Sequence, residues 1–158
     1  MPRILFVCTA NLCRSPLAAA LFSKKLWDEG TSAGWIVESA GTWAAPGQGL
    51  PADVRRAARV LRLDLTHHRT RRVDSELLAC FDLILVMERG HKEALQVEFP
   101  FVRQKVHLLS EVADGLEYDI PDPVNSELGM EEIAAQLSGL IERAYEKICR
   151  LAQAPDIM

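Results

Sequence analysis

The chain has 158 residues, of which 49% are hydrophobic and 25% charged, with a net charge of −4 at neutral pH. That length fits one domain around one core, expected over residues 1–158, and that mix excludes wholesale disorder. The acidic balance gives no support to general nucleic-acid binding, no apolar stretch nears the roughly 20 residues that span a bilayer, and four cysteines are too few for a disulfide scaffold. Only about four apolar residues follow Arg3, too few for a secretory leader, so a cytoplasmic location is expected.

Arg3–Val7 reads as a short, uniformly apolar strand, the kind buried on both faces of a parallel sheet. The spacing predicts a helix over Pro16–Asp28, with Leu17, Leu21 and Trp27 on its apolar side. Trp35–Ala40 reads as a second strand stopped by Gly41. Ala52–Leu61 reads as a helix behind Pro51. Phe81–Met87 is the strongest strand, and a short helix follows near Gly90–Val97. Lys105–Leu109 reads as a fourth strand and Ser110–Gly129 as a long loop. In Met130–Leu151, Ile133, Leu137, Leu140, Ile141, Ala144 and Ile148 recur at helical steps. This alternation predicts an α/β fold: a four-stranded parallel sheet with helices on both faces. Ligands of such sheets bind beyond the carboxyl ends of the strands, where the loops after Val7, Ala40, Met87 and Leu109 converge.

The first of those loops runs CTANLCRS, from Cys8 to Ser15. It joins a buried strand directly to a helix. Its backbone N–H groups can turn inward as an anion nest, with the helix dipole behind them. Arg14 supplies a planar fork suited to two phosphate oxygens. A thiol at the base of such a nest is favoured as the thiolate. The spacing C-x5-R therefore predicts a loop that holds a phosphate and presents a sulfur nucleophile to its phosphorus. Thr9, Ala10, Asn11, Leu12, Cys13 and Ser15 complete that loop. No G-x-x-x-x-G-K-[ST] is present, so a nucleotide P-loop is a poor competitor.

VCTANLCRSP resembles the signature of the low-molecular-weight protein tyrosine phosphatases. The similarity continues through SAGT (Ser39–Thr42), LDLTHHRTRR (Leu63–Arg72), FDLILVME (Phe81–Glu88) and IPDP (Ile120–Pro123), in the family's order over nearly the whole chain. The resemblance implies a phosphotyrosine protein phosphatase that forms a cysteinyl phosphate on Cys8, clamps the phosphate with Arg14 and uses no metal or cofactor. Its partners would be a tyrosine-phosphorylated protein or an aryl phosphate, with phosphate or another oxyanion in the loop, and neither nucleic acid nor membrane.

A phenolate leaving group needs a proton, since phenol has a pKa of about 10. Asp122 lies in the long fourth loop, bracketed by Pro121 and Pro123, which stiffen the backbone. The residues alone leave two readings, a catalytic acid or a solvated Asp-Pro turn. The resemblance assigns Asp122 the acid role; Asp119, the rival, is expected to be supporting or merely solvated. It also implies a hydrogen-bond network of Asn11, Ser15, Ser39 and His68. Cys13 reads either as a redox partner for Cys8 or as a small packed residue.

The sequence departs from the family in two places. Ala10 stands where glycine is usual, which requires a negative φ there. Val124 and Asn125 stand where aromatic residues usually wall the pocket, so Leu12 and Trp43 are expected as the wall. Two rivals remain. An arsenate reductase shares this loop but needs relay cysteines, and Cys80 is the one candidate. A non-catalytic phosphate-binding module would need neither thiol nor acid.

Overall fold

The structure, a computed structural model, describes residues 1–124 and 126–154. In chain order the elements are β1 (Arg3–Cys8), α1 (Arg14–Asp28), β2 (Ile36–Gly41), α2 (Ala52–Val60), α3 (Ser75–Ala79), β3 (Leu83–Val86), α4 (Arg89–Glu98), β4 (Val106–Leu108), α5 (Leu109–Asp114) and α6 (Met130–Gln153). The four strands pair in parallel in the order β2-β1-β3-β4. This is the α/β fold expected from the alternation of elements.

β1 is a central strand, and its side chains alternate between two cores. Ile4, Phe6 and Cys8 face the helices α1, α2, α5 and α6, together with Leu83, Leu85 and Met87. Leu5 and Val7 face the other way, with Ala40, Ile84 and Val86, and pack beneath Leu78 of α3 and Leu95 of α4. Ile4 through Val7 are fully buried. Each such side chain contributes about 1.5–3 kcal/mol by leaving water. The alternation explains why the strand has no polar face, and it aims Cys8 at the helix layer that carries α1. In α6 the predicted stripe from Ile133 to Ile148 is buried against the same core. None of the described helices is long and apolar enough to cross a membrane.

Two helices differ from the expectation. The stretch expected as loop from Ser110 begins as α5, which starts directly after β4 and ends at Gly115 in the left-handed region, φ 73°. α3 is likewise absent from the sequence reading. It spans five residues and starts where the Asp74 carboxylate accepts the Leu77 N–H at 2.8 Å. Helices this short show too little of a 3.6-residue period to be read from apolar spacing. Asn125, paired with Val124 in the sequence reading, lies outside the described residues.

Candidate active site

The loop from Cys8 to Arg14 is held open by partners that take its carbonyls. Thr42 N–H donates to Cys8 O and Trp43 N–H to Thr9 O, each at 2.9 Å, so the chain after β2 continues the pairing beyond the sheet. His68 Nε2 donates to Asn11 O at 2.9 Å, and Leu17 N–H to Cys13 O at 3.1 Å. With these carbonyls engaged outside, the loop has N–H groups to offer to an anion at its centre. Asn11 makes the turn: its φ is 60°, in the left-handed region that Asn tolerates better than most residues. Ala10 is not among the residues with positive φ, so the missing glycine costs the loop nothing.

Asn11 is fully buried and its carboxamide is fully used. Nδ2 donates to Ser15 Oγ at 2.9 Å and to Ser39 Oγ at 3.0 Å, while Oδ1 accepts the Arg71 N–H at 3.0 Å. Ser15 Oγ in turn sits 2.9 Å from Cys8 Sγ. With Asn11 Nδ2 donating to its oxygen, the Ser15 hydroxyl keeps its own proton to give, and Cys8 Sγ at 2.9 Å and Ala40 O at 3.3 Å are the acceptors in reach. The four residues that the resemblance joined in one network are thus within hydrogen-bond reach of one another. Burial, with Arg69 and Arg71 adding their charge, holds His68 below the usual imidazole range, against the bond to Asn11.

Gly41 was read only as a strand breaker, but it does more. A Cβ there would lie 2.4 Å from Thr9 O and 3.0 Å from Asn11 N. No side chain fits between β2 and the loop.

Arg14 is the first residue of α1 and only 2% exposed. A cation at a helix N-terminus is disfavoured unless anions face it. Two carboxylates do. Glu88 Oε2 lies 2.7 Å from one terminal nitrogen, and Asp122 Oδ2 3.6 Å from the other. The first nitrogen also donates to Ile120 O at 2.8 Å. Ile120 N–H bonds to Met87 O at the end of β3, which moors the acid loop two residues before Asp122. Asp122 Oδ1 accepts the Val124 N–H at 3.0 Å and its side chain stays part-exposed. Asp119 is engaged elsewhere: it accepts from Arg89 N–H and side chain, and these bonds hold its carboxyl below the usual carboxylate range.

Glu88 and His91 contact Arg14 and Thr9 at the site, and the sequence reading does not mark them. His91 Nδ1 accepts the Glu88 N–H at 3.1 Å, which leaves the proton on Nε2, 2.8 Å from Thr9 Oγ1. Burial pushes His91 down to about 4, with Glu88 pulling it back and Arg14 adding to the fall, so the ring is neutral at pH 7. Glu88 lies two residues past β3, the strand that ends at the site, and that position is the signal the sequence offers.

A cleft of about 270 Å³ opens over Cys8 and Arg14. Leu12, Val54, Val124 and Met130 supply its apolar wall, and Asp53 and Asp122 its two carboxylates. Cys13 also borders it, with its thiol 3.4 Å from Met130 Sδ. Burial, then the neighbouring Cys8, pushes the Cys13 thiol up to about 12.

A family model described as low molecular weight phosphotyrosine protein phosphatase matches residues 3–154. The chain belongs to that family. A protein-arginine-phosphatase of Geobacillus stearothermophilus is 33% identical over 147 residues, covering 92% of this chain and 95% of its own. The low molecular weight protein-tyrosine-phosphatase Wzb of Escherichia coli K12 is 32% identical over 154 residues, covering 98% and 97%. The crystal structure of the tyrosine phosphatase Wzb from Escherichia coli K30 in complex with sulphate superimposes with a TM-score of 0.81 at 31% identity, covering 94% and 99%.

Within this phosphatase fold the expected pocket wall is half corrected. Leu12 lines the cleft, but Trp43 does not. The bond from Trp43 N–H to Thr9 O fixes its backbone as an extension of β2. Its side chain, 72% exposed, carries the Arg72 guanidinium 4.3 Å from the ring centroid. The wall comes instead from Val54 of α2 and Met130 at the start of α6. Cys80 also fails as a relay partner. It precedes β3, whose first residue Leu83 pairs with Ile4, so it lies past the opposite end of β1 from Cys8. Those four residues of strand alone separate the two ends by about 13 Å.

Proposed function

We propose that this phosphatase hydrolyses aryl phosphate monoesters, chiefly phosphotyrosine in proteins, with Cys8 as nucleophile, Arg14 as phosphate clamp and Asp122 as acid and then base. The Cys8 sulfur, as thiolate, attacks phosphorus while the bond from phosphorus to the phenolic oxygen breaks. Asp122 gives its proton to that oxygen, and neutral phenol leaves. In the second half Asp122 takes a proton from water as the water oxygen attacks phosphorus. The P–S bond breaks, inorganic phosphate leaves and the thiolate returns. Arg14 and the loop N–H groups neutralise the equatorial oxygens in both halves. The Ser15 hydroxyl stabilises the departing sulfur.

One observation carries the reading: Cys8 Sγ sits 2.9 Å from Ser15 Oγ at the base of a loop whose carbonyls are bonded outward. A phosphate binder has no use for a thiol so placed. We read the chain as a single domain acting on phosphorylated protein in the cytoplasm, with free phosphate as the product held in the loop. Mass spectrometry of an Asp122→Ala variant given a phosphotyrosine peptide should find one phosphate on Cys8. Cys8→Ser should abolish turnover of p-nitrophenyl phosphate. A Cys8→Ser protein that retains turnover would remove the nucleophile, and with it the reading.

A second substrate competes on specific grounds. None of the described residues lining the cleft is aromatic, and Asp53 lines it as well as Asp122. Two carboxylates and an aliphatic wall suit a guanidinium leaving group, and the Geobacillus relative is named a protein-arginine-phosphatase. In that reaction Cys8 attacks phosphorus and the P–N bond breaks, with Asp122 protonating nitrogen. The ratio of kcat/KM for matched phosphotyrosine and phosphoarginine peptides decides between them.

A further inference from the structure

A second hollow, of about 680 Å³, lies between α1, the outer edge of β2 and residues 62–71, and shares no lining residue with the catalytic cleft. Its lining is strongly basic: Lys24, Arg62, His67, His68, Arg69 and Arg71. Two carboxylates join them. Glu38 is taken by Arg71 at 3.1 Å, and Asp64 accepts the N–H and hydroxyl of Thr66. Lys24 gives its ammonium to Leu61 O at 3.2 Å. Among the described residues, Arg62 and Arg69 have no carboxylate within ion-pair distance, so positive charge is left over. Ala19, Ala20 and Val37 make part of the wall apolar.

Arg62 stands at φ 58°, just past the end of α2, where glycine is the usual residue. The backbone gains nothing from arginine there, but the position brings a guanidinium to the hollow.

The hollow is wired to the phosphate loop. His68 lines it and holds Asn11 O. Arg71 lines it and gives its N–H to Asn11 Oδ1 and its Nε–H to Ser39 O at 3.1 Å. Two of the groups that fix the left-handed Asn11 thus face a separate cavity.

The geometry points to a regulatory site for a small organic polyanion, a polycarboxylate or phosphate ester, held by Arg62, Arg69 and Arg71 and felt at Asn11 through His68 and Arg71. Hollows of this size take small molecules, and apolar wall beside unpaired guanidinium groups suits an anion with a carbon body. Bound negative charge offsets the field of Arg69 and Arg71 around His68 and favours its imidazolium, which strengthens the bond to the Asn11 carbonyl. Occupancy therefore steadies the open loop, and the effect is activation.

Citrate and inorganic pyrophosphate are the carboxylate and phosphate probes, titrated at constant ionic strength with acetate as the monoanion control. Binding is followed by NMR at His68, Arg69 and Arg71, and turnover with p-nitrophenyl phosphate. At least one probe should give saturable shifts at these residues and raise kcat/KM by about five-fold, while acetate does neither. The double variant R62G/R69Q should lose both effects, with a basal turnover no lower than wild type, because glycine suits the left-handed position, neither side chain borders the cleft, and loss of the Arg69 charge acts on His68 in the same direction as a bound anion. A response to one probe alone identifies the anion class. Saturable shifts confined to the phosphate loop with purely competitive inhibition overturn the proposal. So does an absence of saturable shifts with both probes, or an undiminished response in the double variant.

Discussion

Replacing His91 by glutamine removes a buried neutral imidazole whose protonation opposes folding. The ring is 6% exposed and its two nitrogens are committed to Glu88 N–H and Thr9 Oγ1. Its folded pKa is about 4, against about 6.5 in the unfolded chain. Because the folded value is depressed, the unfolded chain binds the extra proton between those limits. The stability that depends on a neutral ring is whole above pH 6.5 and drains away as pH falls toward 4. With these two values the loss is about 2 kcal/mol at pH 5 and under about 0.1 kcal/mol at pH 7.5. Urea midpoints of wild type and H91Q at both pH values measure it. Every other ionisable side chain is common to the two proteins, so the difference of differences isolates His91. H91Q should lose about 2 kcal/mol less than wild type on going from pH 7.5 to 5. Equal losses in the two proteins would mean that His91 is not held neutral by the fold, and the tautomer assigned to the Thr9 contact would go with it.

Gly41→Ala should fold but lower kcat at least about ten-fold and cost about 1–3 kcal/mol, since the added methyl overlaps the Thr9 carbonyl; a fully active variant would show that the loop has slack there. Asn11→Gly should be the milder of two changes and Asn11→Ala the more severe, because alanine loses the carboxamide and also strains φ at 60°, by about 1 kcal/mol; thermal melts of both rank them. Cys13, pushed up to about 12, should resist iodoacetamide at pH 7.5, and peptide mapping should find it unlabelled while the exposed Cys80 is modified. Asp122→Ala should slow phenyl phosphate far more than p-nitrophenyl phosphate, whose better leaving group needs less protonation; equal losses would exclude Asp122 as the acid.

Much of the molecule was readable before any coordinates. An unbroken apolar run such as Ile4–Val7 has one stable use, a strand buried on both faces, and such strands imply a parallel sheet with its loops at one edge. The spacing from Cys8 to Arg14 is local, so its chemistry was legible too. Asp122 was legible only with the family in view, because a carboxylate in an Asp-Pro turn looks the same in sequence whether it meets substrate or water.

What the tertiary structure alone decided are contacts between distant segments. Glu88 and Ile120 reach Arg14 across 74 and 106 residues, and His91 reaches Thr9 across 82. No period or propensity encodes such meetings; they follow from which strand lies beside β1 and how far each loop extends past it. The same holds for the cleft wall. Trp43 looked suited by size and position, yet the pairing of its backbone with Thr9 turned its ring away, and Val54 and Met130 closed the space. Sequence determined the elements and the nucleophile because both rest on neighbours along the chain. The clamp on the arginine, the mooring of the acid loop and the lining of the cleft depend on neighbours through space.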